Sequence, residues 1–314
     1  MRGVRHPESS ERTETVAACL RAANVISEEL RATDATREQL LRVHTPAYLD
    51  LVDRETQGIT SARYLSTGDA AVGPHSREVA YRAAGAALAA ADCVAATSQA
   101  AFALIRPPGH HAEPDAGMGF CIFNNAALAA RQIIAQRGGR VLVVDFDYHH
   151  GNGTESIAGN GLSYVSTHAW PAYPGTGGKS FERSGDAVVN LPLPASGIST
   201  EAFIAVWERL LPEVCRSVRP DSIVVSAGFD FVDGDPVGDL GVDVSACGAL
   251  AAALNAAAFE WCSGRLLYVL EGGYLIDALT AGIGAIAVAS DEKVTTGSGA
   301  DPRAIPPEVL RLFP

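Results

Sequence analysis

The stretch VLVVDFDYHHGNG, residues 141–153, decides the fold. Its first four residues, Val141 to Val144, are apolar and mostly β-branched, as in a strand buried on both faces of a parallel sheet. The run passes straight into Asp145, Asp147, His149 and His150 and stops at Gly151-Asn152-Gly153. Side chains alternate along a strand, so Asp145, Asp147 and His149 share a direction at its end. His150 points the other way and reads as a structural residue. A carboxylate and an imidazole two residues apart can grip one divalent cation between them.

Working outward, the same pattern recurs. Ala101 to Ile105 is an apolar run followed by RPPGHH at 106–111, and Leu162 to Thr167 leads into His168 and the loop AWPAYPGTGG. Ser222 to Ser226 leads into Gly228-Phe-Asp230, and Leu266 to Leu270 ends in Glu271-Gly-Gly-Tyr274. Val188 to Leu193 reads as an edge segment, limited by Pro192 and Pro194. Helical patterns fill the intervals: 76–96 (Ala-rich), Phe123 to Gln136 ended by Gly138-Gly139, Glu201 to Val218, and Val242 to Trp261. Before them, an amphipathic helix is expected over 8–31, a second near Thr36, and a third after His44-Thr45-Pro46. The tail from Ser290 reads as peripheral. Alternating strands and helices predict an α/β fold with a central, mainly parallel sheet flanked by helices. No linker interrupts the 314 residues, so a single domain over 1–314 is expected. In such sheets ligands bind beyond the carboxyl ends of the strands, where RPPGHH, DFDYHHGNG, GFD and EGGY should converge.

Composition narrows the function classes. The chain is 47% hydrophobic and 19% charged, enough to bury a sizeable core. Its net charge of -12 is spread along the sequence, which argues against a nucleic-acid-binding surface. Six cysteines (Cys19, Cys93, Cys121, Cys215, Cys247, Cys262) are scattered without a CxxC and read as reduced thiols. The N-terminus MRGVRHPESSERTE has no apolar stretch of a signal peptide, and the Ala-rich runs read as too short to span a membrane. A soluble, cytoplasmic protein is expected.

Asp147 and His149 form the first pair of metal-ligand candidates, and a catalytic zinc site needs a third with one position left open. Asp230 is the best candidate, with Asp233 and Asp235 as rivals in the turn-like DGDP. Two carboxylates and one imidazole cancel the charge of a zinc ion, which leaves its water less acidic than a three-histidine site does. A general base is therefore expected nearby, in the tandem His110-His111. Asp145 is a natural partner for one histidine and Asn152 for the other. A carboxylate biases its histidine toward imidazolium, and a neutral amide leaves its histidine able to accept a proton. One charged stabiliser and one base are thus expected. Tyr274 is placed to donate a hydrogen bond to a developing oxyanion, and Gly119, Phe120 and Tyr173 to line the approach.

RPPGHH, GFCIFNN, VDFDYHHGNGT, YPGTG, SAGFD, GDPVGDL and LEGGY, with HPESSER near the start and VHTPAYL at 43–49, follow one another as in the zinc-dependent histone deacetylase superfamily. The chain resembles the class II and bacterial branch of that group, which includes acetylpolyamine amidohydrolases, over nearly its whole length. The resemblance implies an arginase/deacetylase-type three-layer fold and hydrolysis of an N-acetyl amide to acetate and a free amine. It implies Asp147, His149 and Asp230 as zinc ligands, His110 as the partner of Asp145, and His111 as the partner of Asn152 and general acid/base. It implies Tyr274 as the residue that polarises the carbonyl, and Gly119, Phe120 and Tyr173 as walls of a narrow acyl channel. It also implies a structural monovalent cation, often potassium, held by backbone oxygens around Asp145, Asp147, His149 and Ser166. The expected substrate is an acetylated lysine, a polyamine or a small-molecule amine, and an oligomer is compatible with the sequence.

Two departures bear on specificity. The chain begins almost at the HPE motif, which predicts a truncated start or a more open entrance. Val237 stands where the polyamine-preferring eukaryotic relative carries glutamate, leaving Asp69 or Asp239 as acidic rim residues. Two further readings are a two-metal ureohydrolase, which needs more aspartates than this motif provides, and a catalytically silent acyl-ligand binder.

Overall fold

The computed structural model describes residues 6–26 and 28–291. Along the chain these form α1 (Glu11–Ala22), α2 (Arg37–Leu40), α3 (Pro46–Thr56), β1 (Arg63–Tyr64), β2 (Ala71–Val72), α4 (Ser76–Thr97), β3 (Ala101–Ala103), α5 (Asn125–Arg137) and β4 (Val141–Asp145). Then follow α6 (Asn152–Ile157), β5 (Leu162–Trp170), β6 (Phe181–Arg183), β7 (Asp186–Pro194), α7 (Thr200–Val218), β8 (Ser222–Ala227), α8 (Ala246–Cys262), β9 (Leu266–Leu270) and α9 (Ile276–Asp291).

Seven strands form one sheet in the order β3-β9-β8-β4-β5-β7-β6, parallel throughout except for the short β6 against β7. β4 is central, and the alternation along it builds two cores. Leu142 and Val144 face one side, with Phe203, Trp207, Leu250 and Leu254 from α7 and α8. Val141 and Val143 face the other, with Ala87 and Leu88 of α4 and Leu128 of α5. The result is the three-layer α/β arrangement that the strand pattern predicts. Because β3, β9, β8 and β4 are parallel neighbours, their carboxyl ends open on one side. The loops after them therefore meet.

Several elements differ from the sequence expectation. α1 is shorter than 8–31, because left-handed Asn24 (φ 56°) turns the chain soon after Ala22. α4 matches the expected helix to one residue, but the Ala-rich run was read as too short to span, whereas by length and apolarity alone the 22-residue helix could cross a membrane. Eleven of its residues are buried, however, and it packs on α5 and the sheet as a core helix. α8 starts at Ala246 rather than Val242, which bridges to Val232 instead. β7 is not the edge, since β6 pairs outside it over Asp186–Val188. Its prolines are tolerated because Asn190, of the same parity, sends its N–H away from β5 to Ser180 Oγ. The β1–β2 hairpin, β6, α6 and α9 carried no sequence expectation. Ser290 lies in α9, and the rest of the tail, from 292 on, falls outside the described residues.

Candidate active site

Among the described residues, one group of side chains brings three metal-ligating atoms within 4.8 Å of one another: Asp147, His149 and Asp230. His149 Nδ1 lies 3.2 Å from Asp147 Oδ1 and 3.0 Å from Asp230 Oδ2. Asp147 and Asp230 are buried, and the His149 side chain is 12% exposed. Asp230 comes from the end of β8, beside β4, which is why it meets the pair. Its rivals do not: Asp233 donates its backbone N–H to Val242, and Asp235 is occupied elsewhere. Glycines close the back of the group. A Cβ at Gly228 would collide with the Asp147 carboxylate, and one at Gly272 would meet Asp230 and Asp147. The carboxylates thus fill space that any larger residue would take.

Charge is concentrated here. Burial pushes Asp230 up to about 6, with the charge of Asp147 adding to it. Burial alone would lower His149, but hydrogen bonds with Asp147 and Asp230 outweigh it and raise the ring to about 10. Two carboxylates and an imidazole facing one point suit a divalent ion of borderline softness, so the residues present fit a zinc ion with three protein ligands.

The tandem histidines arrive on the loop after β3. Glu271, the first residue after β9, pins that loop by accepting from the backbone N–H of Gly109 (2.5 Å) and of His110 (3.0 Å). Both rings are buried, 4.1 Å apart between centroids. His110 Nδ1 lies 3.1 Å from Asp145 Oδ2, and His111 Nδ1 lies 2.8 Å from Asn152 Oδ1. Their environments diverge. Burial would lower His110, but the charges of Asp147 and Asp145 outweigh it and raise the ring well above its ordinary value. Burial lowers His111 well below its ordinary value, and the charges of His110 and His149 act the same way. The two neighbouring rings are thus pushed in opposite directions, the first toward its charged form and the second toward its neutral one.

Tyr274 sits on the EGGY turn with its ring 5.9 Å from that of Phe120. Burial pushes its hydroxyl well above the ordinary value, so it remains a hydrogen-bond donor. Gly119 and Phe120 are both left-handed (φ 55° and 69°), and a Cβ at Gly119 would run into the His111 ring. Tyr173 packs edge-on to His111, centroids 5.1 Å apart, and is 39% exposed. Asp69 ties the two walls together, accepting from the Gly119 N–H (2.7 Å) and the Tyr173 hydroxyl (3.1 Å). Asp239 folds into its own loop, accepting from Gly234 and Gly241. His150 leaves the group, its Nδ1 2.7 Å from Thr176 Oγ1 and its Nε2 beside Glu155. Ser166, the register partner of Asp145 on β5, hydrogen-bonds His168.

Three supports had no sequence signal of their own. Arg12 is fully buried, lies 4.6 Å over the Tyr274 ring, and donates to the carbonyls of Glu271 (2.6 Å) and Gly273 (2.7 Å). Asp235, read as a turn former, does accept from Val237 and Gly238, and also accepts from the N–H groups of Tyr274 (2.6 Å) and Leu275 (2.9 Å). Glu113 binds the Asn152 amide (2.7 Å). Arg12 lies in HPESSER, one of the motifs that carry the resemblance, but nothing in that motif marks it as buried or as a support for Tyr274.

The pattern of the histone deacetylase domain matches residues 6–289. A probable deacetylase of Archaeoglobus fulgidus is 36% identical over 284 residues, 87% of this chain and 77% of that protein. An acetylpolyamine amidohydrolase of Burkholderia pseudomallei is 42% identical over 229 residues, 70% of this chain and 65% of the relative. Histone deacetylase 15 of Arabidopsis thaliana is 35% identical over 90% of this chain, which spans about half (52%) of that longer protein. A crystal structure of the HDA15 HD domain superposes with a TM-score of 0.86 at 31% identity, covering 100% of this chain and 90% of that one. Taken with the fold and the side chains gathered at the strand ends, these matches lead to one conclusion: the chain belongs to the histone deacetylase family.

Proposed function

We propose that this protein is a zinc-dependent deacetylase that hydrolyses a linear N-acyl amide, releasing acetate and a free amine. One observation carries the reading: two buried histidines, one facing an aspartate and one an asparagine, stand side by side against a three-residue ligand set, with a tyrosine on the neighbouring turn. Asp147, His149 and Asp230 would hold the metal. When bound, zinc supplies Lewis acidity to a carbonyl and lowers the pKa of a water.

The chain's own residues do the rest. Gly119, Phe120 and Tyr173 admit a slender acyl chain. His111, with Nδ1 tied to Asn152, accepts at Nε2 the proton of the water that attacks the acyl carbon. The same proton passes to the amine nitrogen as the C–N bond breaks. Charged His110 and the Tyr274 hydroxyl stabilise the oxyanion between these steps. We further assign a structural potassium ion to backbone oxygens around Asp145, Asp147, His149 and Ser166, a placement supported by the pairing of Asp145 with Ser166 across β4 and β5.

The substrate is an acetylated lysine or a similar amine. Identity to the Burkholderia acetylpolyamine amidohydrolase favours a second reading, an acetylpolyamine or small-metabolite substrate. Against it, Asp69 is the rim carboxylate in place and is already bonded to both channel walls. A panel of acetyl-lysine peptide, acetylputrescine, acetylspermidine and longer acyl-lysines, with and without zinc chelation, tests both. Turnover that survives chelation refutes zinc dependence, and binding without turnover of any substrate identifies a silent acyl binder.

A further inference from the structure

Asn152 has two partners that want opposite things from it. Its Oδ1 faces His111 Nδ1 at 2.8 Å, and its Nδ2 lies 2.7 Å from Glu113 Oε1 and 3.4 Å from Met118 Sδ. A side-chain amide has nearly the same shape at both ends, so packing alone does not determine which end His111 meets. A carboxylate does determine it, because it accepts hydrogen bonds and donates none. With Glu113 on one side, the NH2 must face Glu113 and the carbonyl must face His111. His111 Nδ1 must then carry the hydrogen, which leaves the lone pair on Nε2.

We propose that Glu113 sets the tautomer of His111 through Asn152, acting as a positioning residue one step removed from the chemistry. The proposal rests on the reading of His111 as proton acceptor. His110 needs no such helper, since Asp145 is itself an obligate acceptor and receives its ring N–H directly. A neutral amide in place of that carboxylate spares His111 a neighbouring negative charge but loses direction. Glu113 restores the direction from further out. Its own place is secured by the backbone: its N–H donates to the Ala116 carbonyl at 2.9 Å, and its carbonyl lies 3.1 Å from His44 Nδ1. Without Glu113 the amide can rotate and offer Nδ2–H to His111, favouring the tautomer protonated at Nε2, which cannot take a proton from water.

The test uses E113Q, which keeps the shape but can present either a donor or an acceptor. In 15N NMR of the intact zinc-loaded protein, wild-type His111 is expected to show a protonated Nδ1 and a bare Nε2. E113Q is expected to populate both tautomers, and kcat then falls about twofold for an even mixture, and further as the rotated form dominates, with KM unchanged. N152D supplies an obligate acceptor of its own. In that background E113Q should leave the tautomer single and cost no further activity, which a merely structural role for Glu113 would not produce. A single Nδ1–H tautomer and unchanged kcat in E113Q overturn the proposal, as does an equal loss from E113Q with and without N152D. A tautomer shift in a protein that hydrolyses none of the panel substrates would instead support the tautomer control and refute the catalytic reading.

Discussion

The chain contains the dipeptide His-His twice near one site, and the two copies are used differently. His110 and His111 sit on a loop, with both rings in the same cavity and their centroids 4.1 Å apart. His149 and His150 lie in the loop after β4, past its end at Asp145, and their rings separate: His149 faces two aspartates, and His150 faces Thr176 and Glu155. The backbone decides which use is possible. Both pairs lie outside the strands, so it is the course of each loop that brings one pair of rings together and parts the other. In the first pair the partners then distinguish the rings by charge; in the second, direction alone assigns one ring to the site and the other to the scaffold.

Substitutions can break that contrast one ring at a time. The largest effect is expected from H149A, which removes a proposed ligand: metal content and turnover should fall by more than the roughly 10–100-fold cost of losing an outer partner. Elemental analysis checks it, and full zinc content would remove His149 from the ligand set. H111A should lower kcat about 10²–10⁴-fold with zinc content intact, the range for losing a general base, as read by steady-state kinetics beside metal analysis.

A third histidine backs the loop pair. His44 is buried with Nδ1 near the Glu113 carbonyl and Nε2 accepting from the Asn124 N–H at 3.0 Å, so it is held neutral, and burial lowers it to about 4. Below the ordinary histidine value near 6.5 the unfolded chain takes up a proton that the folded chain refuses until about 4. Stability from this group is therefore complete above 6.5 and declines as pH falls to about 4, by up to about 3 kcal/mol. Urea unfolding of wild type and H44Q should show their difference shrinking across that window, and a difference constant with pH would contradict the assignment. The smallest effect is expected from H150A. Removing this buried ring, with its contacts to Thr176 and Glu155, should cost about 0.5–3 kcal/mol, seen as a lower Tm, with zinc content unchanged. Loss of metal in H150A would erase the contrast between the two members of that pair.

Much of this was legible in the sequence because it lies in contiguous runs. Val141 to Asp145 declared a two-faced strand, and the order of apolar runs and glycine-rich endings declared a parallel sheet with loops meeting at one edge. Residue chemistry offered Asp145 and Asn152 as partners for the tandem histidines, and the family resemblance said which histidine took which. What was not legible depends on position in space. Asp235 looked like a turn residue because its bonds to Tyr274 and Leu275 span 39 and 40 residues. Glu113 is an ordinary charged residue until the fold places Asn152 against it. α4 was legible to within one residue; only its apolar run was read as too short to span a membrane, because Gly85 and scattered polar residues interrupt it, although Gly85 is required there: a Cβ would strike the Thr33 carbonyl.

The grip of Arg12 on the tyrosine turn joins residues 259 and 261 apart, whereas Glu113 and Asn152 are 39 apart. Loop-closure entropy grows with the logarithm of separation, so the first tie is costlier to close by about 2 kcal/mol. The tyrosine turn also has a far more local tie, to Asp235 39 residues earlier, and β9, which carries it, pairs with β8. Tyr274 therefore hangs from two ties of very different length, one local to the C-terminal part of the chain and one that reaches back to its first described helix.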